Sequence, residues 1–251
     1  MHLEEFAEGT SYFHKLDPRV KLVALLPYIF VIALMHDIKY PALALLISAT
    51  MILITQINMK KLLSRLVVVN LFLLLLWLFL PFSYPGNEAF RVGPFIATRE
   101  GFLFALSISL KANAIVLSTI AILGTSEVFS LAHALVHLKV PNKLVYLFFF
   151  FYRYISVLHD EYTTLRRAIR VRSFSPKTTV HTYKTYAYLV GMLLVRSYDY
   201  SQRIYNAMLC RGFTGKFPII THFHMHSRDY LFSGFMFSVT IIMVVLLFNG
   251  R

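Results

Sequence analysis

Cysteine and charged residues are scarce in this sequence, and each scarcity excludes a class of protein. Cys210 is the one cysteine among 251 residues, so no intramolecular disulfide can form and nothing indicates an oxidising compartment. Charged residues make up 15% of the chain and hydrophobic residues 57%, and the mean hydropathy is +0.63. This composition is too apolar for a soluble domain of this size, so a lipid bilayer is the expected solvent.

A phosphate-binding loop of the G-x-x-x-x-G-K type is also lacking. Gly215 and Lys216 supply the end of that pattern, but Cys210 stands where the leading glycine belongs. The chain cannot bind ATP by that route, so any ATP-derived energy has to arrive from another subunit.

The N-terminus has no basic segment of the kind that opens a signal peptide. Glu4, Glu5 and Glu8 precede the first apolar run instead, so we expect no cleavage. The whole chain is nevertheless strongly basic, with a formal net charge of +13. Nucleic acid is not expected as a partner, because a basic DNA-binding face would not accompany several membrane-length apolar runs.

Five apolar runs approach the roughly 20 residues that a helix needs to cross a bilayer. They cover residues 22–35, 42–57, 66–82, 102–123 and 230–248. The first run is short and contains Pro27, which predicts a kink or a tilt. We expect Asp17 to cap this helix and Pro18 to lie in its first turn.

Lysine and arginine collect on the cytoplasmic side of membrane proteins, which orients the runs. The segments before the first run and between the second and third are basic: Lys15, Arg19, Lys21, Lys60, Lys61 and Arg65. Both segments and the N-terminus are therefore predicted to be cytoplasmic. The turn 36–41 and the proline- and glycine-containing loop 83–100 are predicted to face outward.

Most of the positive charge lies in the long stretch 125–228. Two short apolar patches within it, 146–154 and 186–195, could form a sixth and a seventh span or could belong to helices that lie in the membrane interface. We favour interfacial helices, because each patch is short and flanked by charge. The predicted division is residues 1–124 for the N-terminal transmembrane helices, 125–228 for a cytoplasmic or interfacial helical domain, and 229–251 for a C-terminal transmembrane helix.

Apolar side chains recur at helical spacing inside this stretch and predict two amphipathic helices. The apolar face of the first is predicted to contain Ile155, Leu158, Tyr162, Leu165 and Ile169. The face of the second is predicted to contain Leu194, Tyr198, Ser201, Tyr205 and Met208. Asp199 and Arg203 are spaced as an i,i+4 ion pair on the polar side of the second helix.

A short motif occurs twice, 39 residues apart, in residues 168–174 and 207–213. The copies share an alanine, an apolar residue, an arginine, a small residue and a phenylalanine. Each is predicted to end a helix: Gly212 suits a left-handed cap, and Pro176 stops the first helix. Arg172 and Arg211 would then lie at helix ends, where a guanidinium can make a bidentate contact with a carboxylate. Stabilisation of the helix dipole alone would not require the repeated flanking residues.

These motifs resemble the T component of energy-coupling factor (ECF) transporters, in particular the cobalt/nickel-type member called CbiQ, over essentially the full length. Residues 11–22 resemble the N-terminal signature of that family, and residues 196–213 resemble its second coupling segment. The resemblance implies an all-α integral membrane protein with about five transmembrane helices and a cytoplasmic domain of amphipathic coupling helices. It also implies a multi-pass location in the cytoplasmic membrane, with the coupling helices inside the cell.

By the same resemblance, two triplets dock into a pair of ABC-type ATPase subunits: Val171, Arg172, Ser173 and Cys210, Arg211, Gly212. Both depart from the Ala-Arg-Gly pattern of the family and keep the arginine. The chain would then be a non-catalytic subunit that transmits ATPase motion to a substrate-binding membrane subunit (S component). No cofactor is expected on this chain, since ATP and Mg²⁺ would be bound by the ATPases. A small accessory membrane subunit and membrane lipid are further expected partners.

Several other residues are candidates for partner or metal contacts. Lys111 lies near the middle of the fourth run, where it could contact the S component or pair with a backbone carbonyl, Asn113 or Asn70. Arg170 and Arg203 are further candidates for a subunit interface. His222, His224 and His226 alternate, and in an extended segment they would project to one side as weak metal-site candidates.

Three functions are compatible with the sequence. The leading one is the coupling scaffold of a cobalt or nickel importer, and the second is the same scaffold in a vitamin importer. The third is a membrane-embedded lipid-modifying enzyme, for which His159, Asp160 and the three histidines are the candidate acid-base groups. None of these groups is accompanied by a convincing nucleophile, which disfavours the enzyme.

Overall fold

A computed structural model of the chain describes residues 9, 11–35, 37–92, 95–172, 174–215 and 225–249. Within these ranges the chain is almost entirely helical. The helices are α1 (Pro18–Leu34), α2 (Lys39–Thr55), α3 (Met59–Ser83), α4 (Arg99–Ile122), α5 (Val128–His137), α6 (Asn142–Val171), α7 (Val180–Cys210) and α8 (Ser227–Asn249). A 3-10 turn, Phe13–Lys15, precedes α1, and the strands β1 (Glu88–Val92) and β2 (Phe95–Thr98) lie between α3 and α4.

The contacts within the chain define two compact units. The two-helix unit is Val140–His222 and contains α6 and α7. The bundle unit contains α1 to α5 and α8. Helix α5 therefore belongs with the membrane-length helices, whereas the charge pattern grouped residues 125–139 with the helical domain 125–228.

The first helix of the bundle unit begins as its sequence predicts. The Asp17 side chain accepts a 2.9 Å hydrogen bond from the backbone N–H of Arg19, and Pro18 is the first helical residue. Proline is favoured there because its missing N–H would have no helical partner. Asn58 caps α3 in the same way, by accepting from the N–H of Lys60 at 3.0 Å.

Among the residues that the structure describes, three helices are long and apolar enough to cross a membrane: α3, α4 and α8. They correspond to the predicted runs 66–82, 102–123 and 230–248. Helices α1 and α2 have 17 residues each, or about 25 Å at about 1.5 Å per residue, against a hydrocarbon core of about 30 Å. The number of spans therefore stays a prediction.

The core of the bundle unit is built around α1. Leu25, Tyr28 and Ile32 of this helix have at most 1% of their surface exposed. The Tyr28 hydroxyl donates to the carbonyl oxygen of Ala44 in α2 at 3.2 Å. Helix α1 packs against α8, α4 and α5, and α4 packs against α2 and α3.

The strands β1 and β2 form an antiparallel hairpin in the segment predicted to be a loop. Val92 is opposite Phe95, and Arg91 is opposite Ile96. Hydrogen bonds between the two strands satisfy backbone N–H and C=O groups of this short segment. The prediction of an all-α membrane protein agrees with the observed helices, with this hairpin as the exception.

Each long helix of the two-helix unit joins two segments that the sequence pattern separated. The apolar patch 146–154 and the amphipathic segment that follows it form the single 30-residue helix α6. The patch 186–195 and the second amphipathic segment form the 31-residue helix α7. Neither is among the described helices that are long and apolar enough to cross a membrane.

The predicted apolar face is correct for α6 at four of its five residues, and on α7 only Met208 of the predicted face packs. On α6, Ile155, Tyr162, Leu165 and Ile169 are half-buried, and Leu158 is slightly exposed. In the matching part of α7, Leu193, Ser197, Ile204 and Met208 are half-buried, whereas Leu194, Tyr198, Ser201 and Tyr205 of the predicted face are exposed. Because apolar residues occur on both sides of α7, the spacing could not select the side that packs.

Candidate coupling site

The first copy of the repeated motif ends helix α6. Arg172 is the C-cap residue, and its backbone N–H donates to the carbonyl oxygen of Ile169 at 3.1 Å. The Arg172 side chain is exposed, and the preceding Val171 has 86% of its surface exposed. Ser173, the third residue of the predicted docking triplet, lies outside the described residues.

The second copy ends helix α7 with a complete Schellman cap. The N–H of Phe213 donates to the carbonyl of Met208 at 3.0 Å, and the N–H of Gly212 donates to the carbonyl of Leu209 at 2.9 Å. Gly212 has φ +78°, a left-handed conformation that glycine adopts without steric cost. The predicted left-handed cap at Gly212 is therefore confirmed. Arg211 and Cys210 at this end are exposed.

The repeated phenylalanine, two residues after each arginine, packs back onto the two-helix unit. Phe174 lies 6.1 Å from the ring of His181 and 5.9 Å from the ring of Tyr186, both on α7. Phe213 is half-buried and lines a cleft together with Met208. Each phenylalanine thus holds the chain that follows the helix end, so the motif combines an apolar anchor with an exposed cation.

The guanidinium groups of Arg172 and Arg211 have no hydrogen-bond or ion-pair partner among residues 11–35, 37–92, 95–172, 174–215 and 225–249. An exposed arginine keeps all five of its N–H donors available to a planar anion. Two such groups, each at the end of a long helix, are suited to binding carboxylates on another protein.

Helices α6 and α7 are joined by polar and aromatic contacts. Arg196 of α7 forms an ion pair with Glu161 of α6. The rings of Tyr154 and Tyr200 meet edge to face, with their centroids 5.8 Å apart. The two helices also border the cleft that contains Phe213. This cleft has a volume of about 620 Å³.

The predicted ion pair between Asp199 and Arg203 is not formed among the described contacts of α7. The Arg203 guanidinium instead lies 5.8 Å from the centroid of the Tyr200 ring. Stacking on an aromatic ring competes with an exposed ion pair, because both contribute about 1 kcal/mol or less at a surface. Arg203 and Arg170, both predicted to contact a partner, are exposed.

Comparison of the chain with models of known protein families identifies its family. The model of the CbiQ cobalt transport protein family matches residues 9–222, which includes the N-terminal signature and both copies of the motif. The chain belongs to the CbiQ cobalt transport protein family. The resemblance to the T component of ECF transporters is thereby confirmed.

Several curated relatives of this CbiQ-family chain are named as transporter proteins. The ECF transporter transmembrane protein EcfT 1 of Listeria monocytogenes is 26% identical, with 97% of each chain covered. The EcfT protein of Bacillus subtilis is 25% identical, over 86% of this chain and 85% of its own. The nickel permease LarQ of Lactiplantibacillus plantarum is 32% identical, over 38% of this chain and 34% of its own.

Polar side chains of α3 and α4 in this CbiQ-family chain have hydrogen-bond partners on other helices. The Lys111 ammonium donates to the carbonyl oxygen of Ala33, near the end of α1, at 3.4 Å. Asn113 of α4 and Asn70 of α3 exchange two side-chain hydrogen bonds of 3.1 Å each. The contact of Lys111 is the backbone pairing that the sequence offered as the alternative to a subunit contact.

The predicted histidine cluster falls mostly outside the described residues. His222 and His224 lie in the segment 216–224, which the structure does not describe. His226 is exposed, and its backbone N–H donates to a carboxylate oxygen of Asp229 at 2.8 Å. Within the described part of the chain, no three histidine, cysteine, aspartate or glutamate side chains are grouped to hold a metal ion.

The sequence pattern missed one feature of α7 that bears on partner binding. Leu194, Tyr198, Tyr205 and Leu209 are 47–66% exposed and recur at helical spacing along one side, which we call the α7 stripe. The spacing itself was the signal, but it was interpreted as the face that packs within the chain. In the structure this side is available to a partner.

Proposed function

We propose that this chain is the transmembrane coupling subunit of an ATP-driven ECF-type importer for cobalt or nickel ions. The observation that carries the proposal is the pair of exposed arginines, Arg172 and Arg211, at the ends of α6 and α7. Each arginine enters a carboxylate-lined pocket on one of two ATPase subunits. The chain performs no chemistry of its own, and ATP and Mg²⁺ are bound by the ATPases.

The repeated motif supports a mechanical role. Closure of the ATPase dimer on ATP displaces both pockets, and the two helix ends follow because their guanidinium groups are held there. Phe174 and Phe213 fix the chain beyond each end, so the displacement moves whole helices. Glu161 and Arg196 then join the movement of α6 to that of α7.

The α7 stripe supports docking of the substrate-binding membrane subunit. Exposed apolar side chains at helical spacing fit the apolar face of a partner helix. Movement of α7 would thus be transmitted directly to the subunit that holds the ion. This role rests on the resemblance to ECF transporters together with the exposure of Leu194, Tyr198 and Tyr205.

The family model and one relative favour a metal ion over a vitamin as the substrate. The matching family is described as a cobalt transport protein family, and LarQ is named a nickel permease. The ion is bound by the separate S component. Uptake of radiolabelled cobalt and nickel by cells that carry all subunits would choose between the two ions.

The proposed location is the cytoplasmic membrane, which the chain crosses several times. The N-terminus and the ends of α6 and α7 face the cytoplasm, where the ATPases and their nucleotide are found. This orientation follows from the basic segments before the first run and between the second and third.

Removal of both guanidinium groups tests the proposal. The double variant Arg172→Ala/Arg211→Ala should lose co-purification with the ATPases and lose ATP-dependent uptake, while its amount in the membrane stays the same. The matched control replaces one other exposed cation on each helix, Arg167→Ala/Lys184→Ala. This control should retain both the ATPases and uptake. Undiminished ATPase binding by the Arg172/Arg211 variant would falsify the docking role.

A further inference from the structure

The N-terminal signature of the family packs against two other parts of the bundle unit. The backbone N–H of Asp17 donates to Oδ1 of Asp229 at 2.9 Å, although the two residues are 212 positions apart. Oδ2 of Asp229 accepts from the N–H of His226 at 2.8 Å. Asp229 is 2% exposed and lies in the first turn of α8. One carboxylate therefore ties the start of α1 to the start of α8.

Lys21 makes the second connection. The sequence analysis counted Lys21 among the cations of a cytoplasmic basic segment, but the Lys21 side chain is 0% exposed. Its ammonium donates to Oγ of Ser126 at 2.5 Å and to Oγ1 and the carbonyl oxygen of Thr125 at 3.2 and 3.4 Å. These acceptors lie between the end of α4 and the start of α5. A cation at a helix C-terminus also interacts favourably with the helix dipole.

Apolar contacts reinforce the first connection. The ring of Phe13 lies 5.5 Å from that of Phe232 in α8, in an edge-to-face arrangement. Phe13 and Phe232 are 3% and 5% exposed. The hydroxyl of Tyr12 donates to the carbonyl oxygen of Arg228 at 3.0 Å. The segment 11–21 is thus a folded part of the bundle unit.

The connected positions flank the two-helix unit in the chain. Thr125 and Ser126 lie just before Glu127, the N-cap residue of α5, which is the last helix before α6. Asp229 lies in α8, the next described helix after α7. The chain therefore leaves the bundle unit through one tethered helix and re-enters it through another.

We propose that segment 11–21 is an anchor that fixes the start of α5 and the start of α8, the parts of the bundle unit that precede and follow α6 and α7 in the chain. Lys21 and Asp229 are its positioning residues. When the ends of α6 and α7 are displaced, the movement is then transmitted to a partner, because α5 and the start of α8 are held in place. The transmission part rests on the proposed function, whereas the anchor itself concerns the isolated chain. A cation that only marks the cytoplasmic side would be exposed and would need no specific acceptors.

Amide hydrogen exchange of the full chain in lipid nanodiscs tests the anchor directly. Lys21→Met removes the ammonium and keeps a long apolar side chain. We expect exchange to rise at least tenfold in peptides covering 123–138 and to stay unchanged in α3. The matched control is Lys15→Met, since Lys15 is exposed in the same segment. Exchange equal to that of the control would overturn the anchor.

Two milder variants keep the anchor testable if the Lys21→Met chain does not fold. Ser126→Ala removes one acceptor of Lys21 and should raise exchange in 123–138 only. Asp229→Asn keeps the shape of the side chain, weakens its acceptors and should raise exchange in 225–233 only. A uniform rise along the whole chain in both variants would contradict two separate tethers.

Transmission is tested in the complex with the ATPases and the S component. Lys21→Met should retain the ATPases but transport at least fivefold less radiolabelled cobalt or nickel per ATP hydrolysed. An unchanged ratio would overturn transmission. Failure of the wild-type chain to bind any ATPase would instead reject the proposed function, and hydrogen exchange would still decide the anchor.

Discussion

The backbone N–H of Phe213 donates a 3.0 Å hydrogen bond to the carbonyl oxygen of Met208, and both side chains line the cleft beside α6. This bond closes the last turn of α7 and fixes the position of Arg211 within that turn. It requires the chain to reverse at Gly212, whose φ is +78°. The orientation of the exposed guanidinium is therefore coupled to one backbone conformation.

Replacement of Gly212 by alanine should weaken ATPase binding without touching the arginine. A side chain in the left-handed region costs about 1 to 2 kcal/mol, so the last turn of α7 should fray. We expect the dissociation constant for the ATPases to rise about fivefold to thirtyfold, on the basis that 1.4 kcal/mol is about tenfold. Titration of labelled ATPase against the chain in nanodiscs measures the effect.

Gly191→Ala is the matched control for that change, because Gly191 lies inside α7 and an added Cβ would meet nothing within 4 Å. Alanine is favoured over glycine in a helix interior by about 1 kcal/mol. ATPase binding should therefore be unchanged or slightly tighter. Equal losses from the two substitutions would mean that the turn at Gly212 has no special role.

Phe174, the phenylalanine that follows α6, should contribute to ATPase binding by holding the chain next to Arg172. Phe174→Ala removes the contacts with His181 and Tyr186, so the segment that follows α6 is no longer held. A half-buried aromatic ring contributes less than the roughly 1.5 to 3 kcal/mol of full burial. We expect about a fivefold loss of ATPase affinity in the same titration.

The corresponding control for Phe174 is Phe151→Ala on α6, where the ring is 59% exposed and lies far along the helix from Arg172. It should leave ATPase affinity within twofold of wild type. If Phe174→Ala also did so, the repeated phenylalanine would be a packing residue with no influence on the arginine.

The helix caps could be predicted from the sequence, but the side of each helix that packs against another helix could not. The caps at Asp17 and Gly212 depend on residues next to them in the chain, so their sequence signals were sufficient. The packed side of α7 depends on α6, and Leu193 and Leu194 are equally apolar, so spacing could not choose between them.

Lys21 illustrates the same limit for charge. The positive-inside pattern treats lysines alike, but the burial of this one depends on acceptors 104 and 105 positions away. The hairpin between α3 and α4 was missed because each strand has no more than five residues. The docking role of Arg172 and Arg211 stays a prediction that rests on family resemblance.

The paired amides of Asn70 and Asn113 should stabilise the contact between α3 and α4. Their two mutual hydrogen bonds lie between membrane-length helices, where such bonds contribute about 0.6 kcal/mol on average and up to about 1.7 kcal/mol. Asn70→Leu should lower stability by about 1 kcal/mol in a reversible unfolding experiment in detergent. The double variant Asn70→Leu/Asn113→Leu should be no less stable than the single one, because it leaves no amide unpaired. Additive losses would show that the pair does not act as a unit.

The α7 stripe should be needed for the S component and not for the ATPases. Tyr198→Glu places a charge at the middle of the stripe, where the ring is 64% exposed, so the fold of this chain should be unaffected. Desolvation of an unpaired carboxylate in an apolar interface is costly, and we expect at least a tenfold loss of S-component co-purification with wild-type amounts of ATPase. Tyr188→Glu is the control, since Tyr188 is 75% exposed on another side of α7. Loss of the S component from both variants, or from neither, would place its docking surface away from this stripe.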